Sequence, residues 1–313
     1  MVYQIIATLA PVSLAELARL PITLPNGVEI GIAGGHPEGG IRLYTKRRID
    51  LSTHPLPRVD RTEDGSAQIS FPINPDRSDL LAPFHFIEAF GHLILGIERV
   101  DWLACTEEWL PESDEEKALL HLGKVRRQEH DFGPPSKMLQ SATLDGLLHD
   151  YAALEELTLP LSILKPASDA YRHRRYYEAF FYFYLYLEGM YANGQSRVRQ
   201  VIDAFAASPA MRIAAAQVLV NLTTPHSDSH LGRARSLLSE FRCEWSTQGL
   251  LELMVRLRGS MFHFNPRSPR RGVNPLRPHE MTTPAYLAMM LATLTATLEI
   301  SSRAAPPLGD RIT

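Results

Sequence analysis

The sequence predicts an α+β N-terminal domain followed by an all-α helical domain, and three observations carry that prediction. Up to about residue 127, short apolar or β-branched runs alternate with turn residues. From Thr143 on, nearly every apolar pattern has a helical period. Between the two, Gln128–Lys137 is polar, holds a Gly and a Pro pair, and keeps neither period. That stretch reads as a linker and sets a boundary near residue 140, giving domains 1–140 and 141–313. At 313 residues the chain is long enough for two cores.

In the first domain, Val2–Thr8, Val28–Ala33, Ile41–Tyr44, Ala67–Ile73, Leu93–Val100 and Lys117–Val125 have strand lengths and composition. Ser13–Leu20 reads as a short helix, with Ser13 as N-cap and Glu16 at the capping-box position. Ser78–Phe90 reads as a second helix. Glu107–Glu116 is strongly acidic and reads as a solvated loop. No motif for chemistry appears in this half, which leaves it a role as sensor or in target recognition.

The second domain opens with an amphipathic helix over Leu144–Leu157. Asp169–Ala192 reads as one long helix whose tyrosines and phenylalanines surround it on all sides, the mark of a central helix or of one with a face in a dimer interface. Arg172-His-Arg-Arg175 near its start puts positive charge where the helix dipole disfavours it, so it is a phosphate contact or a solvated turn. Val198–Ala207, Met211–Leu222 and Leu231–Phe241 are further helices, separated by Pro209 and by Thr223-Thr-Pro-His226. The last helix has Thr283 as N-cap and Pro284 at its first position, and runs to about Ser302.

Composition narrows the function. Net charge is −3, so nucleic-acid affinity has to come from a local basic face. Cys105 and Cys243 form no disulfide framework or zinc spacing, which suits a reducing compartment. The start of the chain lacks the features of a signal peptide, and the aromatic run Tyr176–Leu187 is too short for a bilayer and contains Glu178. A cytoplasmic protein with no membrane segment, cofactor or metal is expected. His226 and His230 have the spacing of a metal pair but no third ligand nearby.

The stretch that carries chemistry is Leu250–Phe264. On a helical projection Leu251, Leu253, Met254, Val255, Leu257, Met261 and Phe262 share a broad apolar arc, and Arg258 falls inside it. Arg256 falls outside, four residues after Glu252, where a surface ion pair belongs. An inward Arg258 needs an anionic partner or a bound anion. Gly259 and Ser260 make a helix end plausible there, which would let His263 swing back toward Arg258. The spacing alone is weak, since Arg48 and His54 nearly repeat it. Its context is stronger: residues 256–277 hold Arg256, Arg258, Arg267, Arg270, Arg271 and Arg277 and no Asp or Glu, the composition of a phosphate site. A structural alternative pairs Arg258 with a carboxylate, Glu178 or Glu188, and makes His263 a helix cap.

With those residues in view, the second half resembles a HEPN domain of the Apea-like branch, over roughly residues 143–303. Leu257-Arg-Gly-Ser-Met-Phe-His263 matches the family's Arg-then-His signature near the end of a late helix, and Tyr171-Arg-His-Arg-Arg-Tyr-Tyr177 resembles its long early helix. Gly259 departs from the pattern, because many members carry a polar residue directly after the Arg. The resemblance implies a HEPN-like helical bundle, a homodimer with a composite site, and metal-independent RNA cleavage in antiphage defence or a related stress response, tRNA being one candidate target. It implies Arg258 and His263 as catalytic residues, and Asn265, Arg267, Arg270 and Arg271 as the residues that hold the RNA. The alternatives are a non-catalytic HEPN module that binds nucleic acid or a protein, and an antitoxin-like oligomerisation partner.

Overall fold

The computed structural model describes residues 1–10, 12–14, 20–35, 41–61, 66–71, 76–95, 97, 99–126, 137–139, 141–224, 228–262 and 278–304. An α+β N-terminal part precedes a mostly helical C-terminal part. The described chain divides into two compact units, Met1–Thr158 and Leu159–Ala304. The division falls later than residue 140, so the helical residues 141–157 belong to the sheet-bearing unit.

In that unit β1 (Val2–Ala10), β2 (Val12–Leu14), β3 (Ile22–Thr23), β4 (Glu29–Gly35) and β5 (Ile41–Arg48) precede β6 (Arg58–Arg61) and β7 (Ala67–Ser70). Helix α1 (Arg77–Phe90) follows, then β8 (Arg99–Leu110), the short α2 (Asp114–Ala118), β9 (Lys124–Arg126) and β10 (Lys137–Leu139). Six of these strands form one antiparallel sheet in the order β3-β4-β5-β1-β8-β9. Strand alternation puts Tyr3, Ile5, Ala7 and Leu9 on one face of β1, and all four are buried. Helix α1 lies on β1, β5 and β8 and buries Leu80, Phe84, Phe86, Ile87 and Phe90. Gly31 lets the Tyr44 ring cross the neighbouring strand, because a Cβ there would sit 2.4 Å from the ring.

Several local readings give way to pairing between strands. Ser13 is in β2, paired in parallel with β10, and is no helix cap; long-range pairing overrides the local cap signal. Gly91–Leu95 continues α1 as a π-helical turn, so the strand expected at Leu93 begins at Arg99. Lys117 ends up in α2, and the following strand covers just Lys124–Arg126. The acidic run is solvated only in its second half, where residues 111–115 are exposed between β8 and the first turn of α2. Glu107 and Glu108 lie in β8, where Glu107 takes Tyr3 Oη at 2.5 Å and Arg77 Nε at 3.1 Å, and Glu108 pairs with Lys124. Cations nearby on the sheet and helix make those carboxylates compatible with a strand. Most of the expected linker lies outside the described residues; Lys137 begins β10.

Helices α3 (Ser141–His149) and α4 (Tyr151–Leu154), with a 3₁₀ turn over Glu155–Leu157, replace the single helix expected there. From α5 (Thr158–Ser162) on, the chain is helical: α6 (Leu164–Arg172), α7 (Tyr176–Tyr191), α8 (Val198–Ala207), α9 (Pro209–Leu222), α10 (Asp228–Glu240), α11 (Thr247–Phe262) and α12 (Thr282–Arg303). Helix α7 packs between α6 and α12, α12 also packs on α9, and α11 packs on α8 and α9. Pro209 opens α9 at its first turn, with the Ser208 hydroxyl accepting from Met211 N at 3.3 Å. The segment His279–Arg303 is long and apolar enough to cross a membrane; in the fold Leu287, Ala288, Leu291, Ala292 and Ala296 are buried in the manner of a core helix.

The helix expected over Asp169–Ala192 is two helices. Arg174 has φ 58° and ends α6, with Arg175 N–H donating to Ala170 O at 2.8 Å in the pattern of a Schellman cap. Two arginines of this turn are paired locally: Arg172 with Asp169, and Arg175, whose Nη1 reaches both oxygens of Glu178 at 2.9 and 2.7 Å.

Candidate functional site

Helix α11 owes its place to its apolar arc. Leu250, Leu251, Leu253, Met254, Val255 and Leu257 are all buried against the bundle. On the opposite side Arg256 is exposed and pairs with Glu252, the i,i+4 contact its spacing predicts. The helix does not end at Gly259. It runs to Phe262, and Ser260 donates its hydroxyl back to Leu257 O at 2.7 Å. A Cβ added at Gly259 would meet nothing within 4 Å, so neither conformation nor packing demands glycine at this position.

Arg258 is at the rim of the arc and not enclosed by it. Its side chain keeps 38% exposure, and Nη2 lies 3.6 Å from Glu188 Oε1 of α7, itself 23% exposed. Of the two carboxylates the spacing offered, Glu188 is thus the partner, while Glu178 serves Arg175. The distance exceeds the roughly 2.7–2.9 Å of a charge-assisted hydrogen bond. The pair is a loose ion contact open to solvent.

Tyr184 is one turn before Glu188 on α7. It is 2% exposed, packed with Phe180 and Phe205, and its hydroxyl is buried with no hydrogen-bond partner among the described residues. Burial first, then the Glu188 carboxylate, hold its phenol well above the ordinary tyrosine range, while the Arg258 guanidinium pulls it down. An unpartnered buried hydroxyl costs about 1–3 kcal/mol. Tyr184 escapes a sequence reading because it is one aromatic residue in a helix full of them.

The stripe that carries Glu188 continues as Phe181 and Leu185, which stay 41% and 38% exposed. The spacing 181, 185, 188 puts these side chains on one face of α7.

His263, Asn265, Arg267, Arg270 and Arg271 lie outside the described residues. Of the predicted site residues, Arg258 is therefore the one whose surroundings are on view. His226 is also outside them. His230 opens α10 and stacks on Tyr286 at 4.1 Å, with Nδ1 3.2 Å from Thr283 Oγ1. Its burial lowers its pKa. The Thr283 hydroxyl is thus engaged with His230 and caps no helix, and α12 starts two residues earlier than expected, at Thr282 with Met281 in the cap position. Among the described residues no three metal-ligating side chains cluster.

No protein-family model, curated protein or solved structure matches this chain.

Proposed function

We propose that the helical unit is a HEPN-like domain and that the protein is a metal-independent endoribonuclease acting in antiphage defence or a related RNA-degrading stress response. The observation that carries this reading is Arg258, a half-exposed guanidinium in a loose contact at the end of α11, just ahead of an arginine-rich segment with no carboxylate. A cation so placed can leave its carboxylate for a phosphate at small cost.

In the proposed reaction the RNA 2′-hydroxyl attacks the adjacent phosphorus. His263 takes the hydroxyl proton and passes it to the departing 5′-oxygen as the P–O5′ bond breaks, leaving a 2′,3′-cyclic phosphate and a 5′-hydroxyl. Arg258 offsets the negative charge that builds on the phosphorane oxygens. Asn265, Arg267, Arg270 and Arg271 hold the backbone on either side. The exposed Phe181 and Leu185 beside Glu188 support a homodimer, since a second copy docked on that stripe would bring two Arg258 groups close together.

RNA, tRNA included, incubated with the purified protein in EDTA tests the proposal. Cleavage is expected, and it should vanish in both Arg258→Ala and His263→Ala. Intact RNA with the unaltered protein would refute it. The Glu188 contact on Arg258 favours one second reading, a non-catalytic HEPN module; salt-sensitive RNA binding without cleavage would be its signature.

A further inference from the structure

We propose that Tyr184, Glu188 and Arg258 form a two-position switch for phosphate. Glu188 pairs with Arg258 in one position, and takes the Tyr184 hydroxyl in the other, when the guanidinium turns to the anion. The switch rests on the reading of Arg258 as a phosphate contact.

Three observations support it. The Arg258–Glu188 contact, at 3.6 Å, is longer than a charge-assisted hydrogen bond. The Tyr184 hydroxyl is buried and has no hydrogen-bond partner among the described residues, so a donor is held unused one helical turn from Glu188. Tyr184 and Glu188 are also four residues apart on one helix. This chain closes the same pair at the same spacing elsewhere: Tyr151 Oη donates to Glu155 Oε1 at 3.0 Å. A side-chain rotation is therefore enough to give Glu188 a hydrogen bond as it loses its cation. Without that donor, turning Arg258 away would leave a partly buried carboxylate relying on water alone.

The test uses the full chain and a fully 2′-O-methylated RNA, which keeps the phosphates but lacks the attacking hydroxyl, with binding read by fluorescence anisotropy. Glu188→Gln should tighten binding about two- to five-fold, the worth of an ion pair of this exposure. Tyr184→Phe should weaken binding at least two-fold in the Glu188 background and have no effect in the Glu188→Gln background. Its melting temperature should match or exceed that of the unaltered protein. Glu178→Gln makes the same charge change on the same helix and is the control; it should tighten binding less and show no coupling to Tyr184.

The switch is overturned if the analogue does not bind, if Glu178→Gln tightens as much as Glu188→Gln, or if Tyr184→Phe acts equally in both backgrounds. The nuclease reading fails on a different result, unmodified RNA left intact while the coupling to the analogue persists.

Discussion

Replacing Arg258 with Met separates a binding residue from a structural one. At 3.6 Å, two unit charges attract by about 1 kcal/mol in a water-like medium and by about 5 kcal/mol at an effective dielectric constant of 20. Side-chain exposures of 38% and 23% place this pair near the first limit, and exposed pairs contribute about 0.2–1 kcal/mol. Methionine keeps most of the stem that packs at the rim of the arc. Loss of this contact in Arg258→Met should therefore cost less than about 1 kcal/mol in urea unfolding of the full chain. RNA cleavage by the same variant should fall below detection. Breaking a buried structural pair would cost about 3–5 kcal/mol. A stability loss of that size, or cleavage that survives, would refute the account of Arg258.

Three further outcomes follow from the helical unit. Gly259→Ala should raise stability by about 0.5–1 kcal/mol, because α11 continues through this position and a Cβ meets nothing there; a lower urea midpoint would mean that the helix ends at Gly259 after all. Arg174→Gly should also stabilise, by about 1 kcal/mol, since φ 58° penalises a side chain and the residue is exposed; an unchanged or lower melting temperature counts against that cap. For His230, burial lowers the folded pKa below the ordinary 6.5, so the unfolded chain takes the proton first and stability falls as pH drops below about 6.5. His230→Phe keeps a ring on Tyr286 and removes the titration, so its stability should change less between pH 7.5 and 5.5 than that of the unaltered protein; equal slopes would sink the assignment.

Much of the fold was legible because it depends on periodicity. The start of β1, the extent of α1 to within one residue, and the Arg256–Glu252 pair follow from spacing. What was not legible depends on partners distant in sequence. Ser13 carries a cap signal that parallel pairing with β10 overrides. Glu107 is acidic and exposed by composition, yet Tyr3 and Arg77, far from it in sequence, make it a strand residue. The break between α6 and α7 has no Gly or Pro to announce it, because an arginine occupies the left-handed position.

The reading of Arg258 shows the same limit at the site itself. A helical projection has an angle but no axial coordinate, so it places Arg258 with Leu251, one heptad earlier in the same arc. In the fold Leu251 is fully buried, but burial declines along the final turn, where Arg258, Gly259, Ser260 and Met261 are all half-buried. The angle was right, and the depth is set by where α7 passes α11. That difference changes the chemistry. A guanidinium sealed in the core would be a fixed structural ion with no access to substrate, whereas one at the rim can be held by Glu188 and still be exchanged. The Tyr184 hydroxyl, buried and without a hydrogen-bond partner among the described residues, is a feature that no reading of residue type or spacing could supply.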